Sequence, residues 1–383
     1  MKKIMYVIED ITVMGGCEKI TLKKAIEFVK KGYEVSICCH SFKTKELLLK
    51  YPDINFIRLE LNDNYSENKF IKKLMKIRCL KNLRKQNKLK KYLEMLQIEV
   101  NKLQPDILIV FYELGIKKYW ELETQGKKIL EIHESYDYYI DNAKKEKNPI
   151  KKIIKKFKFY LKRKIMKKFD SVIILSESDA KKWKLDNVIK INNSIERKEK
   201  IEIVEEFKEK RFLSAGRLET EKGYDILVEV WKKIVSLNNE IKIDVFGEGS
   251  EKEKLVKMIS ENKLEKNILL NDFTNTLEDK YKSYYAYILP SRFECFSMVT
   301  LESLNNGVPV VAFDLEGGVK EMITNNKEGI LIKKYDVDEM AKKIIELYDD
   351  EGERRKMSIN SVEKSKKFTD EKIIKQWIEL FES

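Results

Sequence analysis

Short runs of apolar residues alternate along this chain with longer stretches in which apolar residues recur every third or fourth position. Ile4 to Ile8 is a run of the first kind, short enough for a strand buried on both faces. A turn at Gly15-Gly16 follows, and Ile20 to Val29 then repeats apolar residues at helical spacing. Gly32 and Tyr33 close that helix before a second strand at Val35 to Cys39. Ile107 to Phe111, Lys128 to Ile132 and Ser171 to Leu175 are further strands, each separated by helical material. Strands that alternate with helices predict an α/β fold with parallel sheets covered on both faces. The polar stretch from Asn192 to Lys210 interrupts this rhythm, which resumes with Arg211 to Ala215, Ile241 to Phe246, Ile268 to Leu270, Ala286 to Leu289 and Pro309 to Ala312. The break divides the chain into a domain of residues 1–194 and a second of residues 195–367. In residues 368–383, Ile373, Ile374, Trp377, Ile378 and Phe381 share one face of a predicted helix, which is expected to cross back onto the first domain.

Length agrees with this division, since 383 residues exceed what one ordinary core holds. Five cysteines, Cys17, Cys38, Cys39, Cys79 and Cys295, form an odd set without a C-x-x-C pair, and there are only two histidines. Neither a disulfide framework nor a thiolate zinc site is indicated, and a reducing cytosol is the expected compartment. The first residues lack a signal-type apolar region, and no apolar run approaches the roughly 20 residues of a membrane span. A net charge of +13 is unevenly placed. Lys69 to Leu93 holds eleven Lys and Arg and no acid, and Lys144 to Lys168 holds thirteen against the single Glu146, so the rest of the chain is net acidic. A compositional bias toward Lys enriches Glu as well and does not separate the signs. The basic surface therefore points to an anionic partner.

The densest chemistry lies between Ser291 and Pro309. Glu294 ends a predicted strand and Glu302 follows eight residues on, with a polar turn and a helix between them and Gly307 and Pro309 beyond. In open α/β sheets the crevice at the carboxyl ends of the strands binds ligands, and a helix start there offers unpaired N–H groups to a diphosphate. Alone, two glutamates at this spacing fit a solvated helix. Two other elements change that: Gly216-Arg217-Leu218 with Lys222-Gly223 directly after the first strand of the second domain, and Gly15-Gly16-Cys17-Glu18 after the first strand of the chain. Together, over essentially the whole length, these residues resemble the family 4 retaining glycosyltransferases, whose fold is GT-B, two Rossmann-like domains facing across a cleft.

That resemblance implies a set of roles. Arg217 and Lys222 would neutralise the leaving diphosphate, Glu294 would hold hydroxyls of the transferred sugar, and Glu302 would hold the ribose. His133, at the end of a strand in the first domain, would contact the transferred sugar. Gly15 and Gly16 would let backbone approach a phosphate or acceptor, Gly247 would lie in a turn beside the nucleotide, and Ser297, Met298 and Val299 would open the helix that receives the donor. The run Phe246-Gly-Glu-Gly-Ser-Glu-Lys imitates a nicotinamide fingerprint, but Lys252 replaces its third glycine. No D-x-D element ends a strand, Asp336-Val-Asp338 being better suited to a helix cap, so no metal or other cofactor is expected. Cys295 and Ser297 stand where glycines are usual in the family, and Lys320 replaces a common proline.

The implied activity is transfer of a sugar, with retention, from a nucleoside diphosphate sugar, UDP-sugar being expected, to a saccharide or lipid-linked acceptor in bacterial-type surface polysaccharide or glycoconjugate synthesis. An epimerase or phosphorylase on the same scaffold, or a non-catalytic partner of another transferase, are the alternatives. Asn148-Pro149 starts a helix whose Ile150, Ile153, Ile154, Phe157, Leu161 and Ile165 form one stripe among lysines. The stripe fits a core-facing helix with a basic back, or a surface attracted to anionic lipid at about 1 kcal/mol per well-placed cation. Lys69 to Leu93 is less periodic and fits a membrane-facing segment. No nucleic-acid recognition motif accompanies either. The expected location is cytoplasmic, peripheral at the inner face of the membrane.

Overall fold

The structure is a computed structural model that describes residues 1–11, 16–41, 49–59, 78–111, 119–144, 146–198 and 200–383. In the first domain seven parallel strands, β1 (Lys3–Asp10), β2 (Glu34–Ser41), β3 (Ile54–Arg58), β4 (Ile107–Phe111), β5 (Lys127–Ile132), β6 (Ser171–Ile174) and β7 (Val188–Lys190), lie in the order 3-2-1-4-5-6-7. In the second, β8 (Arg211–Ala215), β9 (Lys242–Phe246), β10 (Ile268–Asn271), β11 (Ala286–Leu289), β12 (Val310–Phe313) and β13 (Gly329–Ile332) lie in the order 10-9-8-11-12-13. Both are the doubly wound Rossmann arrangement, in which strand order reverses next to the first strand and opens a crevice there.

Strand alternation explains the layers. Ile4, Tyr6 and Ile8 face one side of the first sheet and pack with Ala25 and Phe28 of the helix Gly16–Lys30. Met5 and Val7 face the other, against Tyr92, Leu96 and Val100 of the helix Arg78–Leu103. The helix Asp370–Glu382 completes the first of these faces, placing Ile373, Ile374, Trp377, Leu380 and Phe381 in the same core as β1. Strands β3, β7 and β13 were not legible in the pattern. The run Ile54-Asn-Phe-Ile-Arg at an edge mixes polar with apolar residues, β7 has three residues, and β13 opens on a glycine.

The helix Pro149–Met166 forms as its cap predicts, Asn148 Oδ1 accepting from Lys151 N at 3.1 Å. Its stripe, however, does not face the core. Ile150, Ile153 and Phe157 are 68, 67 and 58% exposed, and Ile154, Tyr160 and Leu161 are exposed too. This corrects the core-facing reading. The helix is seated instead by Met166 and by Lys162, whose stem is buried and whose Nζ lies 3.5 Å from the centre of the Tyr139 ring, 5.0 Å from Trp183 and 3.8 Å from a Glu134 oxygen. Of the other basic segment, residues 69–77 lie outside the described residues, and the remainder begins the helix Arg78–Leu103. Among the described residues no helix is long and apolar enough to cross a membrane.

Candidate functional site

The chain leaves β8 through Gly216 and Arg217, makes a tight turn over Thr220–Lys222, and enters the helix Tyr224–Leu237. Gly223 between turn and helix has φ +71°, and a Cβ there would stand 2.1 Å from the Pro290 carbonyl oxygen. Only glycine lets the two loops approach so closely. Arg292 laces them further: its guanidinium makes two 2.7 Å bonds to the Asp225 carboxylate and a third to the Thr220 carbonyl, and its N–H donates to the Glu221 carbonyl. The result is that Lys222 Nζ reaches Glu294 Oε1 at 2.8 Å, while Ser291 Oγ donates to the same oxygen at 2.7 Å. Glu294 is buried beneath this pair.

Ser297 is buried and caps the helix Met298–Asn305, its side chain accepting from Thr300 N. Its hydroxyl therefore serves its own helix, and the N–H groups of Met298 and Val299 have no acceptor within that helix. Glu302 lies on that helix with one oxygen 3.1 Å from the Tyr281 hydroxyl. Burial holds its carboxyl above the ordinary value, opposed by the Tyr281 hydrogen bond and by Lys19 and Lys23 of the first domain. Cys295 is buried, and Gly318 N donates to its carbonyl at 2.6 Å, so the turn Gly317-Gly318 lies on the backbone of residues 294–296. Lys320 pairs with Asp314 and Glu316. Gly247 packs on the Gly216 carbonyl, where a Cβ would come within 2.0 Å, so the protein's own backbone already requires glycine there.

From the other side, His133 follows β5, with Nε2 2.9 Å from Glu131 Oε1. Glu131 is buried within the sheet and is ion-paired to Lys24 of the helix Gly16–Lys30. Burial opposes its ionisation, but Lys24 and His133 prevail and bring its pKa to about 2. Gly16 opens that helix, and a Cβ there would meet nothing among the described residues; Gly15 lies outside them. The domains meet along this side. Ser178 Oγ accepts from Gly317 N at 2.9 Å, Glu321 accepts from Glu177 N at 2.7 Å, and the Tyr138 and Phe293 rings contact edge to face. Burial pushes the Cys295 thiol well up, with Asp179 and Glu134 of the first domain adding to it.

The structure thus joins Lys222 to Glu294 and sets Glu302 near first-domain lysines. Arg217 it leaves apart, 71% exposed and paired with Glu221 at 3.2 Å. Asp336 accepts from Glu339 N and caps the helix Val337–Asp349. Sequence reasoning missed the lacing pair Asp225 and Arg292, the Tyr281 hydroxyl and the Lys24–Glu131 pair. Glu131 carried the one available signal, a lone acid inside the apolar run Ile129-Leu-Glu-Ile.

Residues 196–364 match the family model described as glycosyl transferases group 1. The chain is 29% identical over 223 residues to the poly(ribitol-phosphate) alpha-N-acetylglucosaminyltransferase of Staphylococcus aureus, an alignment covering 56% of this chain and 44% of that protein's length. It is 26% identical over 389 residues to an uncharacterized glycosyltransferase of Haemophilus influenzae, covering 98% of this chain and 99% of that one. Its fold is similar to that of a mutant of S. aureus TarM in complex with fondaparinux, alpha-GlcNAc-glycerol and UDP, with a TM-score of 0.78 at 18% identity over all of both chains. Residues 196–364 are thus similar to the group 1 glycosyl transferases, and the chain as a whole has the fold of two facing Rossmann-like domains, GT-B.

Proposed function

We propose that this protein transfers a sugar from a nucleoside diphosphate sugar, UDP-sugar in the first instance, to a saccharide or lipid-linked acceptor of a bacterial surface polysaccharide or glycoconjugate, with retention of configuration. The contact between Lys222 and Glu294 at the strand ends carries this reading, because it puts a cation beside a buried acceptor of sugar hydroxyls. The diphosphate would lie at the Met298–Asn305 helix start, with Lys222 and Arg217 drawing onto its charge and no metal required. Glu302, steadied by Tyr281, would accept from the ribose hydroxyls, and His133 would meet the transferred sugar across the cleft. Gly16, which no contact among the described residues obliges to be glycine, leaves backbone open to donor or acceptor. In the reaction the bond from the anomeric carbon to the phosphate oxygen breaks, the acceptor oxygen bonds to that carbon on the same face, and the acceptor's proton passes to the departing diphosphate. UDP and alpha-GlcNAc-glycerol in the TarM complex, and the alpha-transferase relative, support both the donor class and the stereochemistry.

The experiment is a panel of nucleotide sugars screened for nucleoside diphosphate release with and without a membrane extract as acceptor. Lys222→Ala should lower kcat by about 100-fold or more. Arg217→Ala should lower it too while leaving the stability of the free protein within about 0.5 kcal/mol, because that side chain is exposed. Donor turnover without an acceptor would favour an epimerase, dependence on free phosphate a phosphorylase, and full activity of Lys222→Ala in a complex the non-catalytic partner.

The outward stripe of the helix Pro149–Met166 adds a second part to the proposal, that the first domain rests on an anionic membrane face. Apolar residues and lysines share one exposed surface there, which suits an interfacial helix. A cytoplasmic location at the inner face of the membrane follows from this part of the proposal.

A further inference from the structure

The Lys24–Glu131 ion pair is an expensive thing to find where it lies. Both side chains are buried, and Glu131 occupies a central strand whose neighbours Leu130 and Ile132 pack into apolar core. Lys24 Nζ stands 4.5 Å from the centre of the Trp377 ring, 5.7 Å from Phe111 and 5.9 Å from Tyr6, so aromatic faces surround the cation. Burial lowers the Lys24 pKa, opposed by Glu131 and Cys17, and burial raises that of Tyr6. Well-packed apolar residues generally serve stability as well as such a pair or better, so stability alone is a poor reason for it.

Its reach toward His133 supplies another reason. One carboxylate oxygen, Glu131 Oε1, meets both Lys24 Nζ and His133 Nε2, while Glu131 Oε2 has no hydrogen-bond partner among the described residues. An ionised carboxylate only accepts, so the imidazole nitrogen facing it must carry hydrogen. The Phe111 ring, 5.5 Å from that of His133, flanks the imidazole.

We infer that the buried Lys24–Glu131 pair is a positioning device for His133, holding the Nε2–H tautomer and the ring's orientation so that Nδ1 is the nitrogen left to a ligand. Glu131 and Lys24 are positioning residues, and Trp377, from the far end of the chain, closes the pocket that keeps the pair dry. The inference rests on the proposal that His133 faces the donor only for its effect on catalysis; the tautomer stands apart from it.

The test uses the full chain labelled with 15N and carrying His40→Gln, which leaves His133 as the sole histidine. Long-range 15N–1H spectra of the neutral imidazole should show the hydrogen on Nε2 alone. The double variant Glu131→Leu with Lys24→Met, which removes both charges together and keeps the site apolar, should give a mixture of tautomers, while the single variant Lys24→Arg, which keeps Glu131 and the positive charge, should retain the parent spectrum. Activity should follow, kcat falling about 10- to 100-fold in the double variant with donor KM changed less than twofold. A parent spectrum with hydrogen on Nδ1, or a tautomer that the double variant leaves unchanged, would overturn the inference. Lost tautomer control with unaltered kcat would support it, and would tell instead against His133 as a neighbour of the donor.

Discussion

Asp179 sits in the helix Glu177–Trp183, next to the Ser178 that bonds the second domain, and its buried carboxylate has Oδ2 without a hydrogen bond among the described residues. Burial raises its pKa to about 6, with Asp137 and Glu316 adding to the shift and the Tyr136 N–H and Lys182 opposing it. The folded state therefore binds this proton more tightly than the unfolded chain, whose aspartates titrate near 3.9. The stability so gained is fully present below about pH 4 and is lost as pH rises through about 6. Asp179→Asn should raise the stability of the first domain in urea unfolding at pH 7.5, by up to about 3 kcal/mol, and the gain should vanish at pH 4. Gly223→Ala is the opposite kind of change. Its φ of +71° and the carbonyl 2.1 Å from the added Cβ should cost about 1–3 kcal/mol and move Lys222 off Glu294, so thermal melting and kcat should fall together.

These residues also show where sequence legibility ended. Glu294, Glu302 and Lys222 were legible because glycines, prolines and a strand end surrounded them, and those features announce a crevice whatever the partner. Arg292 and Asp225 were not, because a bidentate pair between loops 67 residues apart leaves no periodic trace in one chain. Arg217 read as the equal of Lys222, yet it extends into solvent, since charge type fixes what a side chain can do but not where its last carbons point.

At the level of elements, apolar periodicity located most strands to within a residue or two. It did not tell which side of an amphipathic helix faces inward. Along Pro149–Met166 the stripe of isoleucines fitted a packing face as well as a lipid-facing one, but the neighbouring aromatic rings take Lys162 and Met166 instead. Because the stripe is exposed, Ile153→Glu with Phe157→Glu should leave the melting temperature almost unchanged. The same pair should abolish sedimentation with vesicles containing anionic phosphatidylglycerol. Binding by the parent protein should weaken as salt rises and vanish with purely zwitterionic vesicles. Parent binding indifferent to lipid charge would end the membrane reading.

The whole molecule is joined by two chain crossings that run side by side. Ile195 N donates to the Phe368 carbonyl at 2.8 Å and Asp370 N to the Ile195 carbonyl at 3.1 Å, with Lys23 of the first domain 3.0 Å from Asp370 beside them. The second crossing also delivers Trp377 to the first core. Trp377→Ala should remove about 3–5 kcal/mol from the first domain's unfolding transition and leave that of the second domain in place, as differential scanning calorimetry would resolve.

That docked final helix sets a timetable for synthesis. A ribosome releases the first domain's seven strands long before residues 373–381, so the apolar face that Ile373, Trp377 and Phe381 will cover stays bare while the second domain is being made. The later domain can finish folding first, which reverses the usual order for a growing chain. Until that helix emerges, the newborn protein holds a sticky sheet that residues 373–381 later cover, and a chaperone would find its natural foothold there.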